Sequence, residues 1–360
     1  MKRLSFKLRT VALAFTAWAA LTTPHASAAD KLTIGLVTPI SITSAPFSFG
    51  KELGFYKEED IEVELLTFNG TGTLVPQMTA KRVDIGYPNP DFLILARQPG
   101  KDHLPLRFFY NVARQSIWEI SVPAASKFQS LKDLKGTRLG VFTLSQGSIP
   151  ITRAMFKDIG LEVGKDIELI AVGAAATAAQ ALNGKQVDAL NVFDTVNAAI
   201  ETSGTPLRKL PIDQKYLSLF SNGYIAHEDT IKAKGVQLAK FGRAWTKSVI
   251  ACNANYEACV QAFWREFPNQ KPASDADKQL PVQISVLRAR QDKMAIADPA
   301  KVKFGTYSEQ DWRNFIQLLH DNGQIATKDI DVGSLYTNDL VAQFNAFDAA
   351  AIVAKAKAAK

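Results

Sequence analysis

The sequence predicts an α/β protein of two similar lobes, each with a mostly parallel sheet flanked by helices. Short apolar strands alternate with helical stretches, and this order places parallel strands side by side through crossover connections. The same order of strand, loop and helix occurs a second time further along the chain. The chain of 360 residues is also long enough for two domains.

An internal repeat is the strongest of these observations. VELLTFNGTGT begins at Val63 and IELIAVGAAAT begins at Ile167, whereas KRVDIG begins at Lys81 and KQVDAL begins at Lys185. In both pairs the second member starts 104 residues after the first. The shared order and offset indicate two related structural units.

Each unit is predicted to contain three strands with helices between them. In the first unit the expected strands are 32–37, 61–68 and the segment at 83–85, and the expected helix is 47–55. In the second unit the expected strands are 138–142, 167–172 and the segment at 187–189, and the expected helix is 151–159.

The chain is expected to cross between the lobes twice, near residues 113–118 and again near 221–226. Lobe 2 would then comprise residues 117–224, and lobe 1 would combine residues 29–116 with residues 225–360. Apolar residues at helical spacing predict that the C-terminal part is largely helical. We expect this part to pack onto lobe 1 and complete it.

Residues 1–28 are interpreted as a cleaved signal peptide. Lys2 and Arg3 precede an apolar stretch at 11–21, and the small residues at 26–28 follow, an order typical of such leaders. The alternative is a retained membrane anchor, but the apolar stretch is short for a bilayer span. No cysteine lies near the expected cleavage point at Ala28, so we do not expect a lipid anchor.

The charge of the chain argues against nucleic acid as a partner. The formal net charge is +7, and it falls to about +3 once the four basic residues of the leader are removed. So mild an excess does not indicate a nucleic-acid-binding protein. No later stretch is long and apolar enough to span a membrane.

Cys252 and Cys259 are candidates for a disulfide in an oxidising compartment. On one straight helix they would lie about 10 Å apart, which is too far for a bridge. The intervening NAN predicts a helix break, with Asn255 as the N-cap of the next helix. The alternative is two reduced, buried thiols. Two cysteines without a histidine cluster do not make a zinc site, and we expect neither metal nor cofactor.

The loops that follow the strands are the candidate ligand-binding region. Right-handed crossovers bring them to one edge of each sheet, where open α/β sheets bind ligands. In the loop GYPNPD, residues 86–91, two prolines hold the backbone rigid and so limit the entropy lost on binding. Asp91 and Asp194 follow the third strands, and the alternative is that each only caps the next helix.

Four segments carry a family resemblance: APFSFGKELGFYKEEDIEVELLTFNG (45–70), LVPQMTAKRVDIGY (74–87), SLKDLKGTRLGVFTLSQGS (130–148) and QALNGKQVDALNVFD (180–194). Together they resemble the substrate-binding proteins of ABC importers for nitrate, sulfonates, taurine and thiamine-pyrimidine precursors. The resemblance implies a type II periplasmic binding protein, with two α/β lobes joined by a two-strand hinge. It also implies a periplasmic monomer whose partners, a permease and an ATPase, are not in this chain.

The resemblance implies that the strand-end loops bind the ligand. The candidate residues are Ser41, Thr43, Ser44, Asn69, Thr71, Tyr87, Asn89, Ser145, Gln146, Gly147, Ser148, Ala174, Phe193 and Asp194. Trp118 and Tyr87 are candidates to stack on a flat ligand, although Trp118 is equally explained as a buried aromatic on a hinge strand. Gly147 and Ser148 are expected where a helix begins, and free N–H groups there favour an anionic group. Alternatively, Ser148 only caps that helix.

The composition of these loops favours a particular class of ligand. They contain no Arg or Lys, and the nearest basic residue is Arg114 near the hinge. A strong oxyanion often receives a cationic partner. Hydroxyl, amide and aromatic groups instead suit a small organic molecule, neutral or weakly acidic, and aromatic or heterocyclic. The alternative is a sulfonate- or nitrate-type anion.

Two further classes of protein compete with a transport role. A eukaryotic relative of the family makes the thiamine pyrimidine with a cysteine-rich motif, but no such cluster, H-E-x-x-H, G-x-S-x-G or Walker A motif occurs here. We therefore do not expect an enzyme. A periplasmic sensor partner would close over its ligand in the same way, and the sequence does not separate this role from transport.

Overall fold

The computed structural model describes residues 29–272, 275–296, 298 and 301–360. The predicted signal peptide, residues 1–28, lies outside these residues. The strands are β1 Asp30–Leu36, β2 Ile61–Thr67, β3 Ile85–Tyr87, β4 Leu106–Asn111, β5 Trp118–Pro123, β6 Thr137–Val141, β7 Ile167–Ala171, β8 Ala189–Phe193, β9 Leu207–Lys209 and β10 Gly223–His227.

The helices surround these strands. They are α1 Ala45–Glu52, α2 Phe55–Glu58, α3 Thr71–Thr79, α4 Asp91–Ala96, α5 Ile149–Asp158, α6 Ala175–Asn183, α7 Asp194–Thr202, α8 Gln214–Leu217, α9 Glu228–Ala233, α10 Gly235–Ala254, α11 Tyr256–Glu266, α12 Ala276–Met294, α13 Glu309–Asp321, α14 Val341–Phe344 and α15 Ala349–Ala358. The helix expected at 47–55 is divided into α1 and α2, because Gly54 between them has φ 79°.

Two five-stranded sheets form the two lobes and confirm the predicted fold class. The sheet of lobe 1 has the order β2-β1-β3-β10-β4, and that of lobe 2 has the order β7-β6-β8-β5-β9. In each sheet the first three strands are parallel, and one strand, β10 or β5, runs antiparallel to its neighbours. The repeated order β2-β1-β3 and β7-β6-β8 is the structural form of the sequence repeat.

The repeated Val-Asp pairs have a structural role in this arrangement. The Asp84 carboxylate accepts from the Thr33 N–H at 3.0 Å, and the Asp188 carboxylate accepts from the Arg138 N–H at 2.9 Å. Each aspartate thereby ties its segment to the neighbouring parallel strand. Lys81 and Lys185, three residues before these aspartates, both have positive φ angles, 56° and 54°. The repeat therefore extends to the backbone conformation.

The two crossings between the lobes pair with each other and form the predicted two-strand hinge. The Ala113 N–H donates to the Asn222 carbonyl at 2.9 Å, and the Ser221 N–H donates to the Ala113 carbonyl at 2.8 Å. The second crossing continues into β10, so the domain boundary expected between residues 224 and 225 falls inside that strand. A paired segment of this kind can absorb a rotation of one lobe against the other.

The C-terminal helices complete lobe 1 and reach across to lobe 2. Helices α10 and α11 pack against α1, and α14 and α15 pack against α10. Helix α12 differs, because it contacts α7 of lobe 2 as well as α11 and the turn Ile42–Ser44 of lobe 1. Within the described ranges, no helix is both long and apolar enough to cross a membrane.

Cys252 and Cys259 form a disulfide across the corner between α10 and α11, with their Cα atoms 5.2 Å apart. Asn255 ends α10 and begins α11, where its side-chain oxygen accepts from the Ala258 N–H at 3.1 Å. Because the helix breaks at Asn255, the two cysteines lie closer together than they would on one continuous helix.

Replacing Cys252 and Cys259 together with serine is expected to lower the free energy of unfolding by about 2–3 kcal/mol. A cross-link over so short a loop mainly restricts the unfolded chain. Urea unfolding of oxidised wild type, reduced wild type and the variant measures the effect. Reduced wild type should resemble the variant, and equal stability of all three would contradict the prediction.

Candidate ligand-binding site

A cavity lies between the two lobes, at the strand-end edges where the sequence places the binding loops. Its empty volume, counted out to its opening, is about 820 Å³. The described lining residues are Leu36, Val37, Thr38, Thr43, Ser44, Phe47, Gly70, Thr71, Tyr87, Asn89, Ile117, Trp118, Phe142, Gln146, Gly147, Phe193, Asn222, Tyr224, Trp245, Arg290 and Met294.

The structure brings together many, but not all, of the candidate residues. Those that line the cavity are Thr43, Ser44, Thr71, Tyr87, Asn89, Trp118, Gln146, Gly147 and Phe193. Those outside its lining are Ser41, Asn69, Ser145, Ser148, Ala174 and Asp194. For both groups of candidates, a role in ligand binding stays a prediction.

The candidates outside the lining make other contacts. The Ser41 hydroxyl pairs with Thr43 at 3.0 Å, and the Ser148 hydroxyl accepts from the Gln146 amide at 2.9 Å. The Ser145 hydroxyl donates to the Asn69 carbonyl at 3.1 Å, which is a contact between the lobes. Ala174 is the N-cap of α6.

The segment from the end of β3 to the start of α4, residues 87–91, organises contacts between the lobes. The side-chain oxygen of Asn89 accepts from the Trp118 indole N–H at 3.2 Å and from the Ser221 hydroxyl at 2.7 Å. The Asn89 amide nitrogen donates to Asp91. Asn89 therefore connects lobe 1 to the first strand of lobe 2 and to the hinge, and the prolines on either side hold it in that position.

Asp91 occupies the helix N-terminus that the sequence suggests for an anionic ligand group. Its carboxylate accepts from the Ile151 N–H, in the first turn of α5 on the other lobe, at 3.1 Å. Ser148 makes no side-chain capping bond there. In this closed arrangement, the Ile151 N–H is therefore not free for a ligand.

Burial shifts the ionisation of two groups near the cavity. Burial raises the pKa of the Asp91 carboxyl to about 8, although the N–H donors of Ile151 and Asn89 act in the opposite direction. Burial also raises the pKa of Tyr87, which keeps its phenol protonated at neutral pH.

Although the candidate loops contain no Arg or Lys, a basic group does reach the cavity, because Arg290 lines it from α12. Arg290 pairs with Asp194 of lobe 2: Nη2 lies 2.6 Å from Oδ1, and Nε lies 3.1 Å from Oδ2. Asp194 also accepts from the Thr195 N–H at 2.7 Å, at the start of α7. Arg114, the basic residue that the sequence places nearest to the candidate loops, instead donates to the Thr306 carbonyl and is outside the lining.

Several lining residues belong to segments that the sequence predicts as helices or strands and not as binding loops. Phe47 and Trp245 pack with ring centroids 4.4 Å apart, and Phe142 packs on Phe193 at 6.0 Å. The indole N–H of Trp245 is buried and has no hydrogen-bond partner in the described protein. An apolar helix position gives no sequence signal that distinguishes contact with a ligand from contact with the core.

The fold and the cavity define the class of two-lobed periplasmic binding proteins. A family model described as NMT1/THI5 like matches residues 41–258, more than half of the chain. The chain belongs to the NMT1/THI5-like family. Among curated proteins, no sequence matches it significantly.

Solved structures share the fold at low sequence identity. The alkanesulfonate-binding protein SsuA from Xanthomonas axonopodis pv. citri, bound to MOPS, is 16% identical, with TM-score 0.64 over 87% of this chain and 100% of that chain. The periplasmic nitrate-binding protein NrtA from Synechocystis PCC 6803 is 13% identical, with TM-score 0.63 over 92% and 98%. The desulfurization enzyme DSZB is 13% identical, with TM-score 0.56 over 88% and 98%. The same fold therefore occurs in binding proteins and in an enzyme.

Proposed function

We propose that this protein is the periplasmic solute-binding component of an ABC importer. It would close its two lobes over a small organic molecule and present the closed form to a membrane permease. The observation that carries the proposal is the cavity between two lobes that are joined by a paired hinge. Closure by rotation about such a hinge is a common way to enclose a ligand.

The lining favours a planar, uncharged or weakly acidic ligand. Aromatic side chains on both lobes, including Tyr87, Trp118 and Phe193, offer faces and edges for a flat ring. The unpaired indole N–H of Trp245 offers a donor to an acceptor on the ligand. Arg290 does not change this preference, because the Asp194 carboxylate already balances its charge.

A sulfonate- or nitrate-type anion is the alternative ligand. Two of the similar structures are an alkanesulfonate-binding and a nitrate-binding protein, and the lining contains one guanidinium, that of Arg290, which would bind an anion if it were released from Asp194. A sensor role would use the same closure but deliver the ligand-bound form to a receptor. An enzyme, by contrast, would convert its ligand.

Ligand identification tests the proposed function. Protein purified gently from its native compartment would be examined by native mass spectrometry, then denatured to release and identify bound compounds. We expect one organic compound, bound one per chain and recovered unchanged on rebinding. Conversion of that compound would contradict the proposal. So would a failure of the folded protein to bind aromatic acids, pyrimidines, sulfonates and nitrate.

Trp118→Ala is expected to weaken binding of the recovered compound by about thirtyfold or more, as loss of a central aromatic contact does. Trp264→Ala is the matched control, because Trp264 is equally buried but lies outside the cavity lining. Calorimetric titration measures both affinities. Equal losses in the two variants would indicate a general effect on stability and not a ligand contact.

A further inference from the structure

The Arg290–Asp194 ion pair joins α12, which packs on both lobes, to the start of α7 in lobe 2. Arg290 is on α12, which packs on the turn Ile42–Ser44 of lobe 1, whereas Asp194 begins α7 of lobe 2. The two side chains are only 7% and 2% exposed. Both charges are thus removed from water, and each depends on the other for compensation.

The cation of this pair faces the cavity, and the anion lies behind it. Arg290 is in the cavity lining and Asp194 is not. The Arg290 guanidinium carbon lies 5.8 Å from the centroid of Phe193, a lining aromatic. It is the one Arg or Lys side chain among the described lining residues. A ligand in the cavity therefore meets a guanidinium whose charge is already balanced.

We propose that Asp194 is a specificity-determining residue, which directs the cavity to uncharged organic ligands and excludes small permanent anions such as sulfonates. The inference rests on the proposed function, since it concerns the ligand of that same cavity. With Asp194 present, an enclosed anion would add a negative charge for which the described lining residues offer no further cation. Burial of an unbalanced charge is strongly unfavourable.

Removing the Asp194 charge should reverse this preference. In Asp194→Asn, Arg290 becomes a buried cation without a carboxylate partner, so the closed form becomes less favourable until an anion enters. A sulfonate could then form charge-assisted hydrogen bonds with the guanidinium. Asparagine keeps the size of the side chain and an acceptor for the Thr195 N–H.

The test compares ligands that differ in charge but little in shape. Methanesulfonate with methanesulfonamide, and benzenesulfonate with benzenesulfonamide, would be titrated calorimetrically at constant ionic strength, alongside the recovered compound. Wild type should bind each sulfonate at least tenfold more weakly than its sulfonamide, or bind no sulfonate at all. Asp194→Asn should bind at least one sulfonate tenfold or more tighter than wild type.

Two further variants separate charge compensation from general damage. The double variant D194N/R290Q removes both charges and should lose the gain in sulfonate binding. Glu59→Gln breaks the Glu59–Arg243 ion pair, which lies outside the cavity lining, and should leave the preference of wild type unchanged. Circular dichroism would show that each variant is folded.

The outcomes distinguish failure of the inference from failure of the proposed function. A recovered compound that is a permanent anion, or an Asp194→Asn variant that gains no sulfonate binding, would overturn the inference. In either case the proposed binding function would stand if wild type still binds the recovered compound. Folded wild type that binds neither a recovered compound nor any titrated ligand would overturn both.

Discussion

Gly147→Val is expected to hold the two lobes apart and to weaken ligand binding by about a hundredfold or more. A Cβ atom at Gly147 would lie 2.8 Å from the Thr71 hydroxyl oxygen and 3.1 Å from the Asn89 Cβ. Both neighbours belong to the other lobe, so even alanine meets a close contact when the lobes close. The two further methyl groups of valine cannot fit there unless the lobes separate.

The effect should appear in the shape of the molecule more than in its stability. Small-angle scattering should give a larger radius of gyration for Gly147→Val than for wild type, with no contraction when the recovered ligand is added. Gly235→Val is the matched control, since no atom lies within 4 Å of a Cβ at that position. A Gly147→Val protein that contracts with ligand as wild type does would contradict the prediction.

In wild type, Asp91 is expected to lower the free energy of unfolding as pH rises from about 4 to about 8. Asp91→Asn is expected to remove this loss. The pKa of an aspartate in an unfolded chain is about 4, whereas burial raises the pKa of Asp91 to about 8. Between these values the folded state binds more protons than the unfolded state. The contribution of Asp91 to the free energy of unfolding therefore falls as pH rises.

The magnitude of this effect is at most roughly 5 kcal/mol, the free energy that corresponds to the difference between the two pKa values. The contacts that act on the pKa of Asp91 come from Ile151, Asn89 and its own backbone, and none is with a charged side chain. Ion-pair formation therefore does not offset the cost of burying the ionised carboxylate.

Urea unfolding at pH 5 and pH 8, which measures the free energy of unfolding, tests the prediction. Relative to wild type, Asp91→Asn should gain stability as pH rises, because asparagine does not ionise. Asp348→Asn is the control, since Asp348 is an exposed aspartate that accepts from N–H groups at the start of α15. A stability difference between Asp91→Asn and wild type that does not change with pH would show that Asp91 titrates normally.

The ionisation of Asp91 should also make lobe closure depend on pH. Its carboxylate contacts α5 across the cleft, so opening of the lobes exposes it to water. Closure then favours proton uptake, and the closed form should become less favourable as pH rises through the same range. The Asp91→Asn variant should show a flatter pH profile for binding of the recovered compound.

The sequence by itself determined the architecture. Val63 with Ile167, and Lys81 with Lys185, mark corresponding positions in two units, and both units adopt the same strand order. Apolar periodicity encodes strands and helices locally, and neighbouring elements of an α/β chain usually pack together, so this level of structure is readable from one sequence. For the same reason the strand-end loops with Tyr87 and Gln146 could be predicted to lie near one cleft.

Only the tertiary structure decided which charged side chains meet at the site and which contacts join the two lobes across it. Arg290 meets Asp194 from 96 positions further along the chain, and nothing in the local sequence of α12 indicates which side chain will face the cavity. Asp91 reads as a helix cap, yet it binds the other lobe. Local patterns report which residues are buried, whereas the partner of a buried group depends on how distant elements pack.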